Sequence, residues 1–334
     1  MLKLRQIVLG LAVQAAALAA DPGLLRLVMP DAKVIAGMQV DQTKNSLFGQ
    51  YVLDHMQVDD ASFQRFVAGT GFDPRHDVSE ILIASNWGSA APQSRWLVLA
   101  KGVFDVHRIL RAAESRGAHT SNYQGADLFT FSDNAPPAAS INPPATAVEN
   151  AIAFFDSGTA AMGDLPSVKA AIDRRRNNTS AANQVVAKVR DLSAKNDFWF
   201  ATLVPLAEFA DAMPDPNLGG AMRTSTFAAV TEVSGGIRFG DTVTISAEAI
   251  TRSEKDAQAL VDVVKFVASM LQMNRQDNQT AGQVASLLDA LSCQTRGNVM
   301  TMSLAIPERQ LEQMMEQMQQ QSRPRGKPTP PPSN

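Results

Sequence analysis

The spacing of apolar residues is most regular between Val78 and Gly117, and that stretch sets the pattern for the chain. Glu80–Ser85 and Arg95–Ala100 are short runs rich in Ile, Leu and Val, as strands are. Gly88, Ser89, Ala90, Ala91 and Pro92 form the loop between them. Val106, Ile109, Leu110 and Ala113 then share one face at helical spacing. Asp105 is placed to cap that helix and Gly117 to end it.

Upstream, Leu24, Leu25, Leu27 and Val28 predict a short helix between Pro22 and Pro30, and Lys33–Val40 reads as a strand. Leu47, Phe48, Tyr51, Val52 and Met56 predict a helix over 46–57. Phe63, Phe66 and Val67 predict another, stopped by Gly69 and Gly71. The polar run Gly71–Asp77 reads as a loop, because Pro74 disfavours helix at Asp73. Downstream, Leu128–Phe131 is a strand and 133–147 a Pro- and Ala-rich loop. Ala151–Phe155 and Thr159–Met162 form a hairpin about Asp156, Ser157 and Gly158. A helix follows, opened by Pro166 and ended by Arg174, Arg175 and Arg176, where cations suit the negative end of the dipole. A further helix is predicted over 180–195, then a strand at Phe198–Val204 and a short helix at Leu206–Met213.

A weaker echo of the opening pattern recurs at 230–272. Phe227–Val233 is a strand, Gly235-Gly236 reads as a bulge or bend, and Gly240-Asp241 turns the chain into Val243–Ala249. Ser253 and Asp256 stand at capping-box spacing before the stripe Ala257, Leu260, Val261, Val264, Val267, Ala268 and Leu271. Ala281–Leu291 is predicted helical and Val299–Ile306 a strand. Pro307 opens a last helix with Leu311, Met314, Met315 and Met318. This mixture of helices and hairpins predicts an α+β fold of two pseudo-repeated units, each a mainly antiparallel sheet covered by amphipathic helices. The units span 20–195 and 196–321, and the Pro-rich basic tail 322–334 is expected to be disordered.

The first 19 residues stand apart from this pattern. Lys3 and Arg5 precede an apolar run from Ile7 to Leu18, and Ala17-Leu18-Ala19 has the small-x-small pattern of a signal-peptidase site. Residues 1–19 are therefore expected to be a signal peptide cut after Ala19, with an uncleaved membrane tether as the alternative. No later stretch approaches the ~20 apolar residues of a membrane span. Loss of Lys3 and Arg5 takes the formal charge from −3 to −5, which argues against a nucleic-acid surface. The 334 residues are 45% hydrophobic but only 6% aromatic, so small aliphatic side chains fill the core. Cys293 is the single cysteine, which excludes an internal disulfide.

No cofactor or metal motif stands out, and His55, His76, His107 and His119 lack the spacing that puts two ligands on one helix face. The loop holding Asp73, His76 and Asp77 is the weak catalytic candidate: an Asp–His pair can poise a general base, as in a hydrolase. A surface loop with a local ion pair is the plainer reading. Arg174–Arg176 has the charge to bind phosphate or anionic lipid, against the plainer reading of a solvated helix end.

Pro30–Gly37, Phe48–Val52, Gly71–Arg75 and Gly163–Ala171 resemble runs in uncharacterised exported bacterial proteins common in acidobacterial genomes. The resemblance implies export and a duplicated α+β architecture, and it carries no catalytic motif. The expectation is an exported periplasmic or secreted protein with a non-enzymatic binding or structural role in the envelope. Its partner would be an envelope protein or polymer, not nucleic acid. The hydrolase-like use of Asp73–Asp77 is the alternative.

Overall fold

The structure is a computed structural model, and it describes residues 19–54, 61–87, 95–115, 118–131, 149–180, 183–212, 219–220, 222–273 and 287–314. Twelve strands form in these segments, the interior ones from runs of mainly β-branched and aliphatic residues and the two at the edges from polar runs. In chain order they are β1 (Val34–Gln39), β2 (Val78–Ser85), β3 (Trp96–Gly102), β4 (His119–Tyr123), β5 (Ala126–Phe131) and β6 (Asn150–Asp156). Then come β7 (Thr159–Asp164), β8 (Phe198–Thr202), β9 (Val230–Arg238), β10 (Thr242–Thr251), β11 (Leu291–Arg296) and β12 (Val299–Pro307). They join one sheet in the order β11-β12-β10-β9-β8-β1-β2-β3-β7-β6-β5-β4. Each neighbouring pair is antiparallel, including β1 with β8, which joins five strands to seven. The fold is therefore α+β with an open antiparallel sheet.

The helices are α1 (Pro22–Arg26), α2 (Val40–Thr43), α3 (Leu47–Asp54), α4 (Ala61–Thr70), α5 (Pro74–Asp77), α6 (Val106–Glu114), α7 (Leu165–Arg176), α8 (Gln184–Ser193), α9 (Ser225–Ala228) and α10 (Glu254–Met273), with a 3₁₀ turn at Leu206–Ala212. Their starts are set by side chains that accept otherwise unpaired amides. Asp105 accepts from Arg108, Asp164 from Ser167, and Asn183 from Val185 and Val186. Ser253 forms the N-cap half of the predicted capping box, its Oγ accepting from the Asp256 amide at 3.2 Å, while Asp256 Oδ2 takes the Ser253 hydroxyl at 2.7 Å in place of the backbone amide.

Alternation along the strands divides the core in two. On one face Ile35, Leu82, Ala84, Leu97, Leu99, Trp199 and Ala201 pack against α1, α7 and α8, through Leu24, Leu25, Val168, Ala171, Ile172, Val185 and Val189. On the other, Ile81, Ala100, Met38, Phe129 and Phe154 pack around Val40 of α2 and Ile109 of α6. Each such fully buried aliphatic side chain contributes about 1.5–3 kcal/mol relative to exposure. Near the far edge, Leu260 and Val261 of α10 cover Val230, Ala249 and Met300.

Several expectations change. The Gly71–Asp77 loop contains a helical turn, α5, with Pro74 in its first turn and Asp73 as its cap. Gly235 and Gly236 lie inside β9, in unbroken register with both neighbouring strands, where a bulge or bend was expected. They are glycines because the sheet leaves no room: a Cβ on Gly235 would meet Ser246 O at 2.3 Å, and one on Gly236 would meet Asn196 Cγ at 2.5 Å. Strand β11 replaces the end of the helix predicted to reach Leu291, and β4 had no counterpart in the pattern. The stripe on α10 is only half used, since Ala257, Leu260 and Val261 are buried while Val267 is exposed beside Phe266 and Met270. The predicted turn residues Gly88–Pro92, Gly117, the 133–147 loop, Met315, Met318 and the 322–334 tail lie outside the described residues, as do residues 1–18 of the expected signal. Among the described residues, no helix is long and apolar enough to cross a membrane.

Candidate functional site

The N-terminal end of the described chain lies across β3 and α7 and makes one wall of a pocket of about 320 Å³. Asp21 begins this wall. Its Oδ1 accepts the Gly23 and Leu24 amides at 2.6 and 3.1 Å, which caps α1, and its Oδ2 pairs with Lys101 of β3. Burial alone would raise the Asp21 carboxyl; the Lys101 contact and the two amides outweigh it and hold the carboxyl below its ordinary value. The opposite wall comes from the end of α7. Arg174 reaches back over α1, donating from Nε and Nη2 to Leu27 O at 3.2 and 2.7 Å. It is partly buried, and that burial pulls its pKa down.

Arg175 pairs with Asp156, at the end of β6, and lies 5.0 Å from the Phe155 ring centre. Arg26 closes the rim, donating from Nη1 to Asn178 Oδ1 at 2.9 Å. The lining thus carries four cationic side chains, Arg26, Lys101, Arg174 and Arg175, against two carboxylates, Asp21 and Asp156. Both carboxylates are held by a cation and by backbone amides, so they are already committed as acceptors. Lys101 and Arg175 are matched to these two carboxylates, so the net positive charge of the lining rests on the Arg26 and Arg174 guanidiniums. An arrangement of this kind suits a small phosphate- or carboxylate-bearing solute, and its guanidinium forks match the geometry of such groups.

The Asp73–Asp77 loop is organised differently. Asp73 accepts from the Arg75 amide at 3.0 Å and takes Arg75 Nε and Nη2 at 3.0 and 2.8 Å. The Arg75 side chain is the main reason its carboxyl stays below the ordinary value. Asp77 Oδ2 accepts the Asp73 amide at 2.7 Å. His76 is turned outward, its side chain 76% exposed, and its Nε2 stands 4.0 Å from Asp73 Oδ2. The three residues are brought together, but their carboxylates are spent on building α5.

Elsewhere, His107 is exposed on α6. Cys293 packs half-buried beneath α10, and burial pushes its thiol up, away from the reactive form. Among the described residues, no cluster of three or more His, Cys, Asp or Glu is placed to hold a metal. The Arg174–Arg176 run is the one part of the pocket that the sequence singles out. Its members divide: Arg174 and Arg175 line the pocket, while Arg176 donates to Gln124 at 2.8 Å. Asp21, Arg26, Lys101 and Asp156 carry no local signal, because they meet only through sheet order.

No family model matches the chain, and no curated protein matches it. Solved structures do. Crystal form III of TP0453, a Treponema protein, matches with a TM-score of 0.51 at 8% identity, covering 90% of this chain and 99% of that one. Forms I and IV of the same protein match at 9% identity with TM-scores of 0.44 and 0.48, covering 91% and 87% of this chain and 99% and 95% of theirs. The form III likeness shows a shared fold across nearly the whole chain.

Proposed function

We propose that the chain is an exported, non-enzymatic binding protein of the cell envelope whose ligand is a small anion. The observation that carries this reading is the pocket between α1 and α7, whose lining holds four cations and two carboxylates and so a net excess of two positive charges, Arg26 and Arg174 being free of a carboxylate partner among the described residues there. Its volume of about 320 Å³ lies at the small end of ligand pockets. Export rests on the N-terminal pattern of Lys3, Arg5, the apolar run and Ala17-Leu18-Ala19.

We also read the sheet as two pseudo-repeated units. Outward from the β1–β8 pair, the orders β1-β2-β3 and β8-β9-β10 mirror one another. In each half a helix follows the third strand, α6 or α10, and a later hairpin returns beside that strand, β6–β7 at β3 and β11–β12 at β10. The β4–β5 hairpin is then an addition to the first unit.

Calorimetric titration with inorganic phosphate and with citrate tests the binding reading. The protein is expected to bind at least one of them, more weakly as salt is raised. Arg26→Gln, at the rim, is expected to weaken binding about tenfold, near the low end of the 1.5–3 kcal/mol typical of charged hydrogen bonds. Binding of neither probe, or equal binding by the variant, would count against the pocket.

A further inference from the structure

The chain passes from solvent into the core over two residues. Ala19 is exposed and Ala20 is 3% exposed. The Ala20 nitrogen donates to Ser193 Oγ at 3.0 Å. The next nitrogen, of Asp21, donates to both carboxylate oxygens of Glu80, at 3.0 and 3.2 Å.

Glu80 is the reason to look closer. It is 5% exposed and stands on the helix-covered face of β2, in line with Leu82 and Ala84. A carboxylate there is costly unless it is paired. Burial pushes its carboxyl up, against the opposing pull of the Asp21 amide and the Gln39 side chain. The charged groups that face it are Asp21, of the same sign, and Lys101 of β3. The Lys101 ammonium is already taken by Asp21. Glu80 is thus a buried acid held by dipoles, beside a chain nitrogen that export would turn into a cation.

We propose that Glu80 is the counter-ion of the α-ammonium group created when the signal segment is removed at Ala20. The proposal rests on the export reading for the place of the cut. The step is hydrolysis by an envelope peptidase. The Ala19–Ala20 bond breaks, and the oxygen of water with one hydrogen joins the Ala19 acyl carbon. The other hydrogen goes to the Ala20 nitrogen, and the proton released by the new carboxyl group leaves that nitrogen as an ammonium ion. That nitrogen lies within about 7 Å of the Glu80 oxygens, since one backbone step separates it from the Asp21 nitrogen.

Before the cut, the site offers Glu80 two neutral amides. After it, a full charge, held by Ser193 Oγ, stands within about 7 Å of the carboxylate where water screens poorly. Removing one partner of such a pair is costly because it strands the other. The cut therefore locks Ala20 and Asp21 in place, and with them the wall of the cationic pocket that Asp21, Gly23, Leu24, Arg26 and Leu27 supply. Signal removal would strengthen the hold on a wall that the uncut chain already places.

The test is a double cycle on the purified protein. Chains beginning at Ala20 and at Leu18, the second carrying its ammonium two residues farther out, are each made with Glu80 and with Glu80→Gln. Glutamine keeps an oxygen for the Asp21 amide and removes only the charge. The Ala20 chain is expected to melt about 2 °C or more above the Leu18 chain, and Glu80→Gln to abolish that gap. The Ala20 amine, titrated by NMR, is expected to lie above its ordinary value of about 7.7–8.0 when Glu80 is present, which reports the pair even if a variant folds poorly. Equal melting of the two Glu80 chains, a gap that survives Glu80→Gln, or an ordinary amine titration would overturn the proposal. N-terminal sequencing of the cellular protein separates the two readings. A start at Met1 overturns export and this inference together, whereas a start at Ala20 without coupling overturns this inference alone.

Discussion

Trp199→Ala is expected to cost about 3–5 kcal/mol, the largest loss of any single truncation in this protein. Trp199 is the largest fully buried side chain, with 0% exposure, and sits on β8 opposite Gly37 of β1. That pair is the seam in the twelve-stranded sheet between the five strands that end in β8 and the seven that begin with β1. The indole fills the seam because Gly37 makes room: a Cβ there would meet the ring's Cζ2 at 2.2 Å. Truncation leaves a ring-sized cavity between strands that α8 covers but cannot collapse into. Among the described residues the indole Nε1 has no hydrogen-bond partner. Trp199→Phe is therefore expected to cost far less than the alanine variant, since no hydrogen bond is lost. Urea unfolding checks both; a midpoint for Trp199→Ala close to wild type would show that the seam is not what holds the halves of the sheet together.

The second large effect is expected at Asp164. Its side chain is 2% exposed and serves two elements at once. Oδ1 accepts the Ser167 amide at 2.9 Å and caps α7, while Oδ2 accepts the Trp96 amide at 2.9 Å where β3 begins. Asp164→Ala removes the cap, worth about 1 kcal/mol, and strands a buried amide at about 1–3 kcal/mol more. The expected loss is about 2–4 kcal/mol, with Asp164→Asn recovering part of it. Because α7 carries Arg174 and Arg175, the same variant is expected to weaken anion binding as well as the fold. Urea unfolding and phosphate titration on one preparation test both; a loss below about 1 kcal/mol would mean that solvent satisfies the freed amides.

The legible parts of the fold are those where burial imposes a period. β2 alternates buried and half-buried positions along its whole length, and the runs read as strands from the sequence are strands in the sheet's interior, except that the run Phe227–Val233 opens with Phe227 and Ala228 in α9 and becomes β9 only at Val230. The strands missed are the two at its edges. β4, His119–Tyr123, is almost wholly exposed and polar, and β11 pairs only with β12. An edge strand has one partner and little core to face, so it has no apolar period to read. Gly235-Gly236 misled for a related reason. Glycine within a strand pattern signals either a bend or a close approach, and only the positions of Asn196 and Ser246 decide between them.

The candidate site was less legible than the fold. Arg174–Arg176 stood out as a charge run, but nothing local ties it to Asp21 or Lys101. They meet because β7 inserts beside β3 and delivers α7 over α1. Conversely, Asp73, His76 and Asp77 drew attention as adjacent acid and base, and their proximity is explained by the turn they build. Short-range spacing reports caps and turns well. A pocket assembled from residues more than a hundred positions apart leaves no such trace.

The central claim is that the wall formed by residues 21–27 and the end of α7 receives an anion. Amide NMR of the chain beginning at Ala20, titrated with inorganic phosphate and citrate, tests it most directly. The account predicts saturable shifts concentrated at Gly23, Leu24, Asn178 and Thr179, and their loss in Arg26→Gln. Shifts that are absent, or that gather elsewhere, such as at Arg75 and His76, would contradict it.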